Sequence, residues 1–167
     1  MKKLLLIFCL LSVLIISAQN TFTATPTRLI PENNIVDFPG KSRTEIYKSL
    51  KSWIAKTYTN PDFVTKSDVP NEYLRINGLW NIMSKGPLGK SALGVSYTLT
   101  FDIKDQKLRY NIDKIGGVGN FSYYNCFKGN GDRRQTKEVI NYLNDIEVYA
   151  EIFMNEMIAN IHQKEDW

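Results

Sequence analysis

Two neighbouring stretches in the middle of the chain alternate between apolar and polar residues with a period of two. Every second residue is apolar over residues 95–103, and the alternation resumes over residues 108–112. Successive side chains of a β-strand point to opposite faces, so the pattern predicts two strands that each bury one face. The polar pair Asp105-Gln106 between them predicts a tight turn. These residues constrain the chain to an antiparallel hairpin with one apolar and one polar face.

The flanking segments predict two helices and three more strands. Residues 42–58 begin with serine and glutamate at capping-box spacing and continue with apolar residues three or four positions apart. Residues 133–163 carry a wider apolar face at the same spacing, which predicts one long helix. Short apolar stretches at residues 34–38 and 63–68, and a two-residue period over residues 72–83, predict the additional strands.

Three segments lack a strand or helix pattern. Residues 84–94 contain three glycines and a proline, residues 116–132 combine glycines with aromatic residues, and residues 19–33 are polar. We expect two loops and a flexible N-terminal arm there. The element order is then β-α-β-β-β-β-α. It predicts an α+β fold in which an antiparallel sheet of about five strands has two helices packed on one face.

The N-terminus predicts export from the cytoplasm. Lys2 and Lys3 precede a predominantly apolar stretch at residues 4–16, and small residues end at Ala18. This combination is typical of a secretory signal peptide, and the stretch is shorter than the roughly 20 residues of a membrane span. We therefore predict cleavage after Ala18 and a location in the periplasm or outside the cell. Residues 1–18 are the signal peptide, 19–33 the arm, and 34–167 a single domain.

Charge and cysteine content narrow the functions open to the exported chain. Loss of Lys2 and Lys3 leaves 19 basic residues against 17 acidic ones, a net charge of +2. So small a charge argues against nucleic acid as a partner. Cys126 is the one cysteine after residue 18, so no internal disulfide is expected. A free cysteine is usually buried; a reactive thiol or a bond to another chain is the alternative.

Several motifs resemble a known family. Residues 37–54, with the motifs DFPGKS, EIY and WI, and the hairpin at residues 97–110 are similar to exported bacterial proteins catalogued as domain of unknown function 4468. The resemblance spans residues 34–113 and implies a TATA-binding-protein-like fold of the helix-grip type. The family's turn is expected to carry glycine where this chain has Gln106. Because the family has no established activity, the resemblance implies a fold and not a function.

No residue pattern predicts an active site, a cofactor site or a metal site. Residues 116–120 are glycine-rich but lack the spacing and the lysine of phosphate-binding loops. Cys126 and His162 are the one cysteine–histidine pair that could act as nucleophile and base. A zinc site needs more histidine or cysteine ligands than these two. Acid–base pairs of Asp and Glu stay open, without one that stands out. We predict a protein that is not an enzyme and that holds no cofactor and no metal.

The polar face of the sheet is the first candidate binding surface. If the apolar side chains of the strands point at the helices, the polar ones share the opposite face. Two tyrosines in the following loop offer aromatic anchors for a partner, or they pack beneath the loop. The candidate residues are Arg75, Asn77, Arg109, Asn111, Tyr123 and Tyr124. The alternative for the whole face is an ordinary solvated surface.

The end of the last helix is the second candidate surface. A helix of about 30 residues is roughly 45 Å long, whereas a strand of about 10 residues spans roughly 33 Å. We expect the helix to extend beyond the sheet and to expose Met157, Ile158 and Ile161 as an apolar interface. A second copy of the chain or another envelope protein is the expected partner. Coverage by the N-terminal arm is the alternative.

Two functions follow from these expectations. The first is a binding or protein-interaction module of the bacterial cell envelope. The second is a carrier of a small hydrophobic ligand, with a pocket between the C-terminal helix and the sheet. Five aromatic residues are expected to line that pocket or else to form plain core: Trp53, Trp80, Tyr97, Phe101 and Phe153.

Overall fold

The structure, a computed structural model, describes residues 22–86, 89–119 and 122–163. The predicted signal peptide and its cleavage site lie outside the described residues. The described elements, in chain order, are β1 (Thr23–Ala24), β2 (Leu29–Ile30), β3 (Asn34–Asp37), α1 (Arg43–Thr57), α2 (Pro61–Val64), β4 (Thr65–Val69), β5 (Tyr73–Gly86), β6 (Gly89–Lys104), β7 (Lys107–Val118), a 3₁₀ helix (Tyr123–Cys126) and α3 (Lys137–His162).

A five-stranded antiparallel sheet in the spatial order β3-β7-β6-β5-β4 forms the centre of the fold. The two long helices, α1 and α3, pack against the same face. Trp53 of α1 lies 6.5 Å from Phe101 of β6, and Phe153 of α3 lies 5.6 Å from Trp80 of β5, measured between ring centroids. The predicted α+β class, the strand number and the element order are confirmed, with α2 as an additional short helix.

Helix α1 begins where the capping box predicts. The Ser42 side chain accepts a hydrogen bond from the Glu45 amide, and the Glu45 carboxylate accepts one from the Ser42 amide at 2.7 Å. Both amides lack a partner within the helix, so the reciprocal bonds stabilise its first turn. Apolar residues at helical spacing then bury one side of α1 against the sheet: Ile46, Leu50, Trp53 and Ile54.

Helix α2 occupies the first residues of a predicted strand. The sequence pattern predicts a strand over residues 63–68, whereas β4 starts at Thr65. The Asn60 side chain accepts a hydrogen bond from the Phe63 amide at 3.0 Å, and Pro61 lies in the first turn. An asparagine cap followed by proline is a helix-start signal, and here it prevails over the β-propensity of the following residues.

The predicted loop over residues 84–94 is wrong. β5 and β6 stay paired from Tyr73↔Asp102 to Gly86↔Gly89, so the glycines lie within the strands or beside the turn. Ser84 is buried because its hydroxyl donates a hydrogen bond to the Asp145 carboxylate of α3. A side chain at position 94 would crowd Val118, since a Cβ there would lie 3.1 Å from the Val118 carbonyl oxygen. Contacts with α3 and β7 therefore allow Ser84 and Gly94 to lie within the paired strands.

Gln106 occupies the turn position where the family resemblance leads us to expect glycine. Its φ of +61° lies in the left-handed region that favours glycine. The Gln106 amide donates to the Lys41 carbonyl at 2.9 Å, and the Gln106 carbonyl accepts from the Phe38 amide at 2.7 Å. Its side-chain oxygen also accepts from the Gly40 amide at 3.4 Å. These bonds to the β3–α1 loop offset the backbone strain that a non-glycine residue carries in this conformation.

The predicted apolar interface at the end of the last helix is also wrong. Met157 and Ile161 are fully buried and Ile158 is half-buried. Helix α3 has 26 residues and is about 39 Å long, whereas the 14 residues of β5 reach about 46 Å. The hairpin is longer than predicted, so it supports the whole helix. The C-terminal end of α3 packs on the β3–α1 loop, with the His162 ring 4.6 Å from that of Phe38.

The described part of the N-terminal arm is packed against the domain and is not loose. Strands β1 and β2 pair with each other, and the side chains of Phe22, Ala24 and Leu29 are buried. The Glu147 carboxylate of α3 accepts hydrogen bonds from the Ala24 amide at 2.6 Å and from the Arg133 guanidinium. Arg133 also donates to the Ala24 carbonyl at 2.8 Å. The arm is therefore an integral part of the α3 side of the domain.

Candidate functional site

The space between α3 and the sheet, where the carrier hypothesis predicts a pocket, is filled by aromatic side chains. Trp80 and Tyr97 are stacked with ring centroids 4.1 Å apart. Phe153 lies 5.2 Å from Trp53 and 6.0 Å from Tyr97. All of these rings, and that of Phe101, are buried. These side chains belong to the hydrophobic core and occupy the position where the pocket was predicted. The carrier hypothesis therefore has no support at this position.

Buried tyrosine hydroxyls close this aromatic cluster toward α1. The hydroxyl oxygens of Tyr58 and Tyr97 are hydrogen-bonded at 2.6 Å. Burial raises the pKa of Tyr58 to about 12 and raises that of Tyr97 further. Both phenols therefore stay protonated at physiological pH and act as a structural pair.

The opposite face of the sheet carries the polar residues that the alternation predicts. Arg75 and Asn77 are exposed there, and the register places Arg75, Thr100 and Asn111 in one row across three strands. Arg109 forms an exposed ion pair with Asp102 at 3.0 Å. Exposed pairs of this kind contribute little to stability. Four of the six candidate binding residues thus share this face, while the two tyrosines do not.

The half of this face beyond Asn77 carries three exposed apolar side chains, with exposed Asn81 between two of them. Leu79 and Met83 on β5 and Val118 on β7 are exposed, with exposed fractions of 48%, 62% and 45%. Between them β6 carries only small residues on this side, Ala92, Gly94 and Ser96. We call these six residues the distal face. Three large exposed apolar side chains around small ones form a patch of the kind that marks an interaction site.

The edge of β5 next to the distal face lacks a described strand partner. β4 pairs with β5 only from Tyr73 to Ile76, so residues 79–85 have β6 on one side and no described strand on the other. Unpaired amide and carbonyl groups on a strand edge are a template for an added strand. Sequence reasoning missed this edge because the length over which β4 pairs with β5 cannot be read from the sequence; the signal available was that Leu79 and Met83 are apolar at polar positions of the alternation.

A polar cleft of about 600 Å³ lies where the arm crosses β7. Two of the predicted residues, Asn111 and Tyr124, line it together with residues that the sequence did not single out: Thr27, Arg28, Glu32, Asn33, Asp113 and Lys114. Tyr124 is 62% exposed. The arm residues were missed because the sequence predicts a loose segment, which gives no reason to place them beside β7.

Tyr123 was predicted as a binding residue, but it is part of the core. Its side chain is fully buried, and its hydroxyl donates a hydrogen bond to the Thr25 carbonyl at 2.6 Å. Burial raises the pKa of the Tyr123 phenol. Tyr123 packs beneath the arm, whereas its neighbour Tyr124 points outward. The 3₁₀ helix therefore buries Tyr123 and Cys126, three positions apart, and exposes the two residues between them.

The structure does not bring Cys126 and His162 together as a nucleophile–base pair. Cys126 is buried beside the N-terminal turn of α3, whereas His162 packs on Phe38 at the other end of that helix. The expectation that Cys126 is buried is confirmed. Burial, with a smaller contribution from the charge of Glu138, raises the pKa of the Cys126 thiol to about 11. A protonated thiol is a poor nucleophile.

We expect the exported chain to react very slowly with a thiol reagent. At pH 8 a thiol of pKa about 11 is ionised in roughly one molecule in a thousand, and burial slows access as well. Absorbance-monitored labelling with Ellman's reagent should be at least about 100-fold slower in the native than in the urea-unfolded chain. Labelling of native protein within seconds would contradict the buried position of Cys126.

Among the described residues, no three His, Cys, Asp or Glu side chains come together in a way that would hold a metal ion. Within the same ranges, no helix is both long and apolar enough to cross a membrane.

A comparison with models of known protein families identifies the family of this chain. The model of one family, described as "Domain of unknown function (DUF4468) with TBP-like fold", matches residues 33–116. The chain belongs to this family. The matched DUF4468 region runs from the end of the arm through β7 up to Gly116, which agrees with the resemblance predicted for residues 34–113. A comparison with curated protein sequences found no significant match.

Two crystal structures share the fold of this DUF4468 protein. A TBP-like protein from Parabacteroides distasonis is 13% identical, with a TM-score of 0.64 over 80% of this chain and 92% of that one. A DUF4468 family protein from Bacteroides ovatus is 12% identical, with a TM-score of 0.62 over 84% of this chain and 90% of the other. At such low identity the similarity shows the fold alone.

Proposed function

We propose that this DUF4468 protein is an exported, non-enzymatic interaction module that binds an extended segment of a partner protein. The segment adds as a strand to the β5 edge that has no described strand partner and packs its side chains on Leu79 and Met83 of the distal face. The observation that carries the proposal is that two features coincide: residues 79–83 of β5 have no strand partner within the described ranges on one side, and Leu79 and Met83 in this stretch are exposed. Strand addition draws affinity from the backbone and specificity from alternate side chains.

The spacing of the apolar residues supports an extended partner. Leu79 and Met83 are four residues apart on one strand and therefore point to the same face. Neither is needed to bury the core, since β5 buries Trp80 and Ile82 on its other face. Native proteins usually protect a long apolar edge with charge, proline or a covering element. Along residues 79–83 this edge carries no charged residue and no proline, and its one charge is Lys85 near the end of the strand.

Charge favours a protein partner over nucleic acid. The exported chain has a net charge of +2, and Arg109 on the open face is already paired with Asp102. Nucleic-acid binding needs a clustered basic surface that tracks a phosphate backbone. The signal peptide predicted at residues 1–18 supports a partner in the envelope or outside the cell.

Site-specific photo-crosslinking in the bacterium tests the proposal. A benzoylphenylalanine residue replaces Met83, and the matched control replaces Val148, which is 56% exposed on the solvent side of α3. We expect a discrete adduct from position 83 and none from position 148. Leu79→Lys should reduce the adduct from position 83 about tenfold, because it places a charge on the docking surface. Ile152→Lys, a charge on α3, should leave it unchanged.

The same cells report on export and on self-association. N-terminal sequencing of the crosslinked chain should begin at Gln19, and a chain that keeps residues 1–18 in the cytoplasm would refute export. An adduct of twice the chain mass would show that the bound strand belongs to a second copy. Adducts from position 148 but not from position 83 would contradict docking on the distal face.

A further inference from the structure

The polar cleft beside β7 arises from a mismatch in length between the arm and the strand. The arm is bridged to β7 at Arg28↔Asp113, and β3 begins with the pair Asn34↔Tyr110. Between these two points the arm has five residues, 29–33, and β7 has two, 111–112. Leu29 of this segment is buried in the core, whereas Glu32 and Asn33 line a cleft of about 600 Å³ beside β7, within the size range of small-molecule sites.

The polar groups in the cleft are held in place by one another. The Arg28 guanidinium lies 2.6 Å from the Glu32 carboxylate and 3.9 Å from that of Asp113. The Asn111 side-chain oxygen accepts a hydrogen bond from the Asn33 amide. The Asn111 amide oxygen is therefore engaged, and its NH₂ group is left as donor to the cleft. The cleft thus brings guanidinium, carboxylate and amide groups together at its partly exposed rim.

Two residues of the cleft hold an unusual backbone conformation. Asn33 has a φ of +55° and Lys114 a φ of +51°. The described chain has four non-glycine residues with positive φ, and two of them line this cleft. Lys114 is neither glycine nor asparagine, and such residues pay a conformational cost of about 1–2 kcal/mol there. Conformations of this kind persist where the surrounding structure enforces them, often at ligand sites.

The charges in the cleft cancel, and an exposed aromatic ring borders it. Arg28 and Lys114 balance Glu32 and Asp113, so neither a strong anion nor a strong cation is favoured. Tyr124 exposes most of its ring although its neighbour Tyr123 is fully buried. A large ring kept in solvent beside paired donors and acceptors suits a ligand with both an apolar face and many hydroxyl groups.

We infer that this cleft binds a neutral carbohydrate. The ring of Tyr124 packs on the C–H face of one sugar unit, and vicinal hydroxyls bridge the amide of Asn111 and the carboxylate of Asp113. Guanidinium and carboxylate groups donate and accept in pairs, which matches the paired hydroxyls of a pyranose. The inference does not rest on the proposed strand docking, because it uses neither the β5 edge nor the distal face.

The test is a titration of the full exported chain with uncharged trisaccharides, followed by amide NMR shifts. The probes are maltotriose, cellotriose, mannotriose and tri-N-acetylchitotriose, with trigalacturonate and inorganic phosphate as charged comparisons. We expect saturable shifts at residues 111–114 and 124 with at least one uncharged probe. Tyr124→Ala should weaken that binding about tenfold or more, since aromatic anchors dominate recognition energy. Tyr124→Phe, which keeps the ring, should retain it.

Matched controls separate the cleft from general effects. Phe63→Ala removes an aromatic side chain that is 70% exposed elsewhere, and Leu79→Lys disrupts the distal face; both should leave sugar binding unchanged. Asn111→Asp keeps the acceptor for the Asn33 amide but loses the NH₂ donor, so it should weaken binding while the chain stays folded. The inference is overturned by an absence of saturable shifts with every uncharged probe. It is equally overturned by tighter binding of phosphate or trigalacturonate, or by binding that survives Tyr124→Ala.

Discussion

Gly78→Ala is expected to lower the free energy of unfolding by about 3 kcal/mol, as overpacking of a rigid core does. A Cβ at position 78 would lie 2.3 Å from both Cζ and the hydroxyl oxygen of Tyr97. The Tyr97 ring has no room to move, because it is stacked on Trp80 and its hydroxyl is bonded to Tyr58. Urea unfolding followed by fluorescence and circular dichroism measures the loss.

Two variants show whether the effect arises from this contact. Gly129→Ala places a methyl group where nothing lies within 4 Å, so it should change stability by less than about 0.5 kcal/mol. In a Tyr97→Ala background the ring is absent, and Gly78→Ala should then cost less than about 1 kcal/mol, which gives a strong coupling between the two sites. Equal effects of Gly78→Ala with and without the tyrosine would show that the clash is not the cause.

Glu147→Ala is expected to destabilise the domain by about 2 kcal/mol, because it removes a partly buried acceptor that two donors share. The Glu147 carboxylate is 14% exposed and accepts bonds from both Arg133 and the Ala24 amide. Its removal leaves the Ala24 amide without this acceptor, while the Arg133 guanidinium keeps its bond to the Ala24 carbonyl. Because these bonds join the arm to α3, hydrogen exchange at the Ala24 amide should rise to the rate of local opening.

The matched control for this variant lies on the same helix. Glu156→Ala removes an exposed carboxylate from α3 and should change stability by less than about 0.5 kcal/mol. Glu147→Gln keeps one oxygen acceptor and should lie between wild type and Glu147→Ala in both readouts. Unchanged protection of the Ala24 amide in Glu147→Ala would mean that the arm is held by the burial of Phe22 and Leu29 instead.

The two proposed surfaces lie at edges of the sheet, away from the face that α1 and α3 cover. α3 reaches from Ser84 on β5 to Phe38 in the loop after β3. The β5 edge beyond Ile76 has no described strand beside it, and the arm covers the β7 edge with a gap at residues 29–33. Edges and gaps of this kind are where a sheet offers free backbone or space to a ligand.

Local signals determined much of the fold. The strict alternation over residues 95–112 predicted the central hairpin, the Ser42–Glu45 box predicted the start of α1, and the apolar spacing predicted α3. Each of these depends on neighbours within a few residues, through side-chain alternation, capping bonds or helical periodicity. The buried positions of Trp53, Tyr97, Phe101 and Phe153 followed from the same patterns, whereas that of Tyr123 did not.

Tertiary structure decided what those local patterns left open. The β5–β6 hairpin extends to Gly86 and Gly89 because α3 supplies Asp145 to bury Ser84. The arm is fixed because Glu147 and Arg133 bind the Ala24 backbone. The cleft exists because five arm residues face two strand residues. These contacts join residues far apart in the chain, and their free energy depends on distances that only the folded molecule sets.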